Sequence, residues 1–285
     1  MVIPFIPNHS PCMEKLDRLP WADGLSFTAY GVRMGVRVSE IDLLPTVKAL
    51  LPPGVEFIES PEVDQLVSFQ VGGSGPQPRQ KRFHLVYADL TRLDRTHDLG
   101  EALHSVETAA QLLVALNAPD RVFLHAGVVA WNGRAILLPG RSFAGKSMLV
   151  AALLRAGAEY YSDEFAVIDK NGLVHPYPRR LSLRDAAAVP RVRVTAEELG
   201  SRTGVTPLRI GTVALAQYRE GAHWSPREVS PSKAALALLN NAVAIRYEPE
   251  QCLAVIERVV TSAKCVIGNR GEAAETAERL LAACA

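Results

Sequence analysis

Apolar residues recur at Leu103, Val106, Ala110, Leu113 and Leu116 within "GEALHSVETAAQLLVALNA" (100–118). Steps of three and four put them on one helical face, and Asp98 stands in front as a cap, so the spacing predicts a helix. Upstream, "SFTAYGVRMGVRVSE" (26–40) alternates around Val32, Met34 and Val36 and reads as strand, as does "KRFHLVYADL" (81–90). Between them "VGGSGPQPRQ" (71–80) has the composition of a loop. Pro4, Pro7, Pro11 and Pro20 make the first stretch an irregular arm.

From residue 121 the pattern sharpens. "RVFLHAGVVAW" is a strand, the "NG" at 132–133 a hairpin turn, and "RAILLPG" the returning strand. "KSMLVAALLRAG" is a helix stopped by Gly157. "EYYSDEFAVID" (159–169) reads as one strand, "KNG" (170–172) as a turn and "RIGTVALAQYRE" (209–220) as a further strand. Ser230 caps the helix "PSKAALALLNNAVAI", with Pro231 at its first position. A helix over 249–263, a short strand "CVI" (265–267) and a last helix from residue 272 complete the chain. No internal repeat is visible. The order of elements predicts an α/β protein, with a small N-terminal α/β module over 1–105, a candidate for substrate recognition, and a second domain over 106–285.

Composition narrows the partners more than the fold. The 285 residues suffice for one large or two modest domains, and 48% hydrophobic with 21% charged residues is an ordinary globular balance. The 31 basic and 30 acidic residues leave a net charge of +1, which argues against a general nucleic-acid or anionic-membrane binder. Cys12, Cys252, Cys265 and Cys284 form no Cys-x-x-Cys pair and read as thiols in a reducing compartment. With no leader-like start and no long apolar run, the expectation is a cytoplasmic protein without membrane spans.

The candidate chemistry begins at "LLPGRSFAGKSMLV" (137–150), which satisfies G-x-x-x-x-G-K-[ST] through Gly140, Gly145, Lys146 and Ser147. Glycines let main-chain N–H groups wrap an anion, and the following helix points its positive end at it. Lys146 then reaches the β and γ oxygens and the Ser147 hydroxyl is a magnesium ligand, so the expected ligand is a nucleoside triphosphate with Mg²⁺. Seventeen and eighteen positions beyond Lys146 stand Asp163 and Glu164. Neighbours on a strand face opposite ways, so both reach one site only if the strand ends or twists there. His125, in the otherwise apolar "VFLHAGVV", falls on the strand beside the one that feeds the loop and is placed to bond a carboxylate or a metal-bound water.

These residues, "LHAGVVAWNGRAILLPGRSFAGKSMLVAALLRAGAEYYSDEFAVID", resemble the core of the HPr serine kinase/phosphorylase family and its shorter relatives. The likeness is specific over 122–169, looser through "VHPYPRRLSLR" (174–184), and touches "NRGEA" (269–273). It implies a phosphoenolpyruvate-carboxykinase-like P-loop core with a mixed sheet. It implies ATP and Mg²⁺ held by the loop Gly140, Arg141, Ser142, Phe143, Ala144, Gly145, Lys146 and Ser147. His125 would stand beside metal and γ-phosphate, with Asp163 as base and Glu164 on the metal, or the two exchanged. Arg180 and Arg184 would contact phosphate or substrate. The implied reaction is transfer of the γ-phosphate to a hydroxyl, a serine of a small protein or precursor peptide, in a protein whose relatives form homo-oligomers. The alternatives are an inactive nucleotide-binding regulatory module and a kinase of a small hydroxylated metabolite. Two departures stand out: Phe143 replaces a usual glycine, and Glu164 replaces an aspartate.

Overall fold

The structure, a computed structural model, describes residues 6–7, 14–74, 81–140, 145–183 and 192–284. It is mixed α/β, with sheets of mixed strand orientation, and divides into two compact units, Met1–Pro119 and Asp120–Ala285. No helix among the described residues is long and apolar enough to cross a membrane.

The first unit is a six-stranded sheet with one long helix. The strands are β1 (Asp23–Ala29), β2 (Val32–Val38), β3 (Glu56–Ile58), β4 (Gln65–Gln70), β5 (His84–Ala88) and β6 (Thr91–Thr96). Their order is β6-β5-β4-β2-β1-β3, antiparallel except for the parallel pair β2–β4. The segment 26–40, read as one strand, is a hairpin. Tyr30 (φ 50°) and Gly31 (φ 84°) make a two-residue turn of the kind that matches strand twist. Helix α1 (Leu99–Asn117) starts as predicted, with the Asp98 side chain accepting from Glu101 N–H at 2.9 Å. Its buried residues Ala102, Val106, Ala110 and Val114 recur at helical spacing, and it packs along β4, β5 and β6. The whole helix therefore belongs to the first unit, and the chain divides at Pro119/Asp120 rather than near residue 105.

The second unit is built on the predicted hairpin of β7 (Arg121–Trp131) and β8 (Arg134–Pro139), turned by Asn132 (φ 49°) and Gly133 (φ 73°). After β8 come α2 (Lys146–Arg155), β9 (Glu159–Ser162), β10 (Phe165–Asp169), β11 (Leu173–His175), β12 (Leu208–Tyr218) and β13 (Arg227–Glu228). Helices α3 (Pro231–Leu239) and α4 (Pro249–Ser262), strand β14 (Lys264–Arg270) and helix α5 (Ala273–Ala283) complete it. Strands β8, β12 and β14 run parallel side by side. On the other side, the first half of β7 pairs antiparallel with β10, which continues through β11 back to the start of β12. Residues alternate across β8: Ala135 and Leu137 join the core under α3 and α4, whereas Ile136 and Leu138 join the core under α2 and α5. Helices cover both faces, which is why these strands read as near-continuous apolar runs.

Two expectations are modified here. "EYYSDEFAVID" is not one strand. Ser162 Oγ accepts from the N–H groups of Glu164 and Phe165 at 3.2 and 3.1 Å, and the turn so formed separates β9 from β10 at Asp163–Glu164. The helix expected over 231–245 keeps its Ser230 cap but ends at Leu239. Beyond it the chain docks on β7, with Asn241 C=O accepting from His125 N–H at 2.8 Å and Val243 N–H donating to Phe123 C=O at 2.9 Å. Pairing with β7 replaces the hydrogen bonds a longer helix would have supplied.

Candidate functional site

Helix α2 opens at Gly145, which is left-handed (φ 74°, ψ 20°) and has no side chain to cap the helix. From behind, Arg270 Nη2 donates to Gly145 C=O at 3.0 Å and Nη1 to Gly271 C=O at 3.3 Å. This arginine is only 4% exposed, and its guanidinium lies 5.3 Å from the centre of the Tyr218 ring. Burial lowers its pKa, and the charges of Tyr218 and Glu272 oppose that. A Cβ added at Gly145 would overlap Arg270 Nη2, so glycine is required both by conformation and by the approach of a side chain from the far end of the chain. On the opposite flank Gly140 N–H donates to His125 C=O at 3.1 Å, tying the end of β8 to β7.

At the second residue of α2, Ser147 Oγ donates to Asp163 Oδ2 at 2.8 Å. Tyr160 OH donates to the other oxygen, Oδ1, at 3.0 Å. Asp163 is 6% exposed. Burial raises its pKa and Glu164 adds to the rise, while the hydroxyls of Ser147 and Tyr160 and the charge of Arg179 pull it down. Burial and the neighbouring Asp163 push the Tyr160 phenol well above its usual range. Lys146 is lowered by burial, against the opposing pull of Glu164 and Asp163. His125 is lowered by burial first and by the Lys146 charge second, which favours the neutral ring. Its Nδ1 lies 3.8 Å from Glu164 Oε1, and its ring tilts over Phe165 with centroids 4.9 Å apart. Glu164 is the open member of the pair, its side chain 41% exposed.

The structure thus brings together Gly140, Gly145, Lys146, Ser147, Asp163, Glu164 and His125. The strand break at Asp163–Glu164 makes this possible, because it frees the two acids from strict alternation. Arg141, Ser142, Phe143, Ala144 and Arg184 lie outside the described residues. Arg180 is exposed, and the arginine whose charge acts on Asp163 is its half-buried neighbour Arg179. Sequence reasoning missed Tyr160, Arg179 and Arg270. The first sits inside a run that reads only as strand. Arg179 and Arg180 are indistinguishable without knowing how the segment lies. Arg270 meets Gly145 across 125 positions, and its only signal is its place in "NRGEA".

A cavity of about 840 Å³ opens at the carboxyl ends of β8, β12 and β14, and Gly140, Gly145, Lys146 and Arg270 contribute to its wall. Among the described residues no group of three or more His, Cys, Asp or Glu is gathered to hold a metal ion. The hydroxyl of Ser147 and the carboxylate of Asp163 nevertheless form a compact pair of hard oxygen donors beside the helix start. Mg²⁺ is commonly held by one or two carboxylates together with substrate phosphates, so this donor pair fits it. No protein-family model matches the chain, and no curated protein matches it.

Proposed function

We propose that the chain transfers the γ-phosphate of ATP to a hydroxyl, a serine of a small protein or peptide, on a P-loop core of the phosphoenolpyruvate-carboxykinase kind. The observation that carries this reading is the Ser147–Asp163 hydrogen bond of 2.8 Å beside Lys146, with a second carboxylate, Glu164, left open next to His125. A phosphate-loop hydroxyl paired with a buried acid from a neighbouring strand is the arrangement a Mg²⁺-bound triphosphate needs.

Ser147 and Asp163 are the residues that would hold Mg²⁺, and the ion when bound offsets charge on the β and γ oxygens. Lys146 adds a positive charge on the same oxygens, and the start of α2 supplies main-chain N–H groups. The geometry favours exchanging the roles first given to the two acids. Both oxygens of Asp163 are occupied by the hydroxyls of Ser147 and Tyr160, and the group is closed off from solvent. Glu164 is exposed enough to meet an incoming hydroxyl and take its proton. His125, its pKa lowered by burial and by Lys146, stands with Nδ1 3.8 Å from Glu164 Oε1, close enough to influence that carboxylate without hydrogen-bonding it.

The test is transfer from γ-labelled ATP to serine-bearing peptides, read beside ATP binding. Lys146→Ala loses binding. Glu164→Gln keeps Mg-dependent binding and loses transfer by about 100-fold or more, the usual contribution of a general base. Asp163→Asn loses the Mg²⁺ dependence of binding itself. Full transfer by Glu164→Gln would refute the exchanged assignment, and ATP binding undiminished in Lys146→Ala would refute the whole reading.

A further inference from the structure

The two oxygens of Asp163 are not equivalent. Oδ2 faces Ser147 at the start of α2, whereas Oδ1 accepts from Tyr160 OH at 3.0 Å. Resting on the kinase reading above, we infer that Tyr160 is a positioning residue that selects the cation. By holding Oδ1 it leaves Asp163 a single oxygen for a metal ion, which suits Mg²⁺ and disfavours Ca²⁺.

The phenol is held firmly enough to do this. Tyr160 N–H donates to Arg202 C=O at 2.9 Å, and Tyr160 C=O accepts from Gly204 N–H at 2.8 Å. On its other edge β9 pairs with β7. The ring is buried in the core that contains Val150, Leu153 and Leu154 of α2, where close packing opposes a swing of the side chain. The main-chain N–H of Arg179 hydrogen-bonds the phenol oxygen. A hydroxyl has one hydrogen to give, and here it is turned to Asp163 Oδ1.

The consequence lies in coordination chemistry. Mg²⁺ demands near-octahedral geometry and keeps several waters, so one oxygen of Asp163, the Ser147 hydroxyl and phosphate oxygens satisfy it. Ca²⁺ gathers about six to eight oxygens and readily takes both oxygens of one carboxylate. Here it could do so only by breaking the bond from Tyr160, which would leave a buried hydroxyl without its acceptor. A hydrogen bond to a charged group is worth about tenfold or more in an equilibrium constant. Glu164 carries no such restraint. Its side chain is 41% exposed, and His125 Nδ1 stands 3.8 Å from it. The restriction therefore falls on the acid that is bonded to the loop hydroxyl.

The experiment is calorimetric titration of the whole chain with ATP, once in excess Mg²⁺ and once in excess Ca²⁺. The wild type should bind ATP about tenfold or more tighter with Mg²⁺. Tyr160→Phe keeps the ring and frees Oδ1, so this preference should fall by about tenfold. The ratio of the two affinities is the readout, since partial unfolding of the variant removes sites from both titrations alike. Tyr161→Phe deletes an equally buried phenol, one that donates to Thr206 C=O at 2.8 Å, and should keep the wild-type ratio. A crystal structure of the wild type with Ca²⁺ and ATP gives a reading that needs no variant: Asp163 should meet the ion through Oδ2 alone. Equal affinities in the wild type, an undiminished preference in Tyr160→Phe, an equal loss in Tyr161→Phe, or both Asp163 oxygens on Ca²⁺ would each show that Tyr160 does not select the ion. The kinase reading would survive any of these. If ATP fails to bind the wild type with either ion, that reading falls as well.

Discussion

Gly145→Ala probes the junction between loop and helix. The backbone there has φ 74°, a left-handed conformation that costs an L-residue about 1–2 kcal/mol. The added methyl also overlaps Arg270 Nη2. The end of an arginine usually swings away at little cost. This one is 4% exposed, lies over Tyr218 and donates to the carbonyls of Gly145 and Gly271. Displacing it forfeits a hydrogen bond from a charged donor, worth about 1.5–3 kcal/mol. The substitution should therefore destabilise the second unit by about 2.5–5 kcal/mol. Urea unfolding of Gly145→Ala, Arg270→Ala and the double variant separates the contributions. With the guanidinium already gone, the alanine should cost only the conformational part, about 1–2 kcal/mol. The cycle should thus show a coupling of about 1.5–3 kcal/mol. Losses that add to within about 0.5 kcal/mol would mean that Arg270 does not brace the loop, and the argument from its contact with Gly145 would be refuted.

Two further outcomes follow from the buried charges. The pKa of His125 is lowered in the fold, so below about pH 6.5 the unfolded chain binds a proton that the native chain resists. Stability should fall as pH drops from there through the lowered native value, and be unaffected well above both. In His125→Asn that part of the slope should vanish, as read from unfolding midpoints at about pH 7.5 and about pH 5; an unchanged slope would contradict the assignment. Tyr160→Phe strips one of the two donors from a carboxylate that is 6% exposed, and should cost about 1–3 kcal/mol. Because that donor lowers the Asp163 pKa, its loss should move the Asp163 titration upward by NMR. A titration that stays put would show that the phenol does not reach the acid.

The site is a set of compromises that burial imposes. Lys146 and Asp163 are each pushed toward neutrality by burial, and each is drawn back toward its charged form by neighbours. Such a cluster holds charged groups away from water at a cost, which structures tolerate where the charge is used. On the function proposed above, a triphosphate with its cation would supply the countercharges of this cluster.

Much of this protein was legible residue by residue. The hairpin at Asn132–Gly133, the caps at Asp98 and Ser230, the stop at Gly157 and the start of α2 at Lys146 each depend on groups a few positions apart, which the sequence displays directly. The glycines and Lys-Ser of the loop, and the nearness of His125 to it, follow from the same local rules. Tertiary structure alone decided which acid faces Ser147, because pairing of β9 and β10 with β7 sets how the turn at Asp163–Glu164 meets α2, Asp163 buried against Ser147 and Glu164 open. It also decided that Arg179 is half-buried with its charge acting on Asp163 while Arg180 is exposed, that α3 stops where Asn241 can pair with His125, and that Arg270 lies behind Gly145. These outcomes rest on burial and hydrogen bonding between segments far apart in the chain, and neither propensity nor periodicity carries that information.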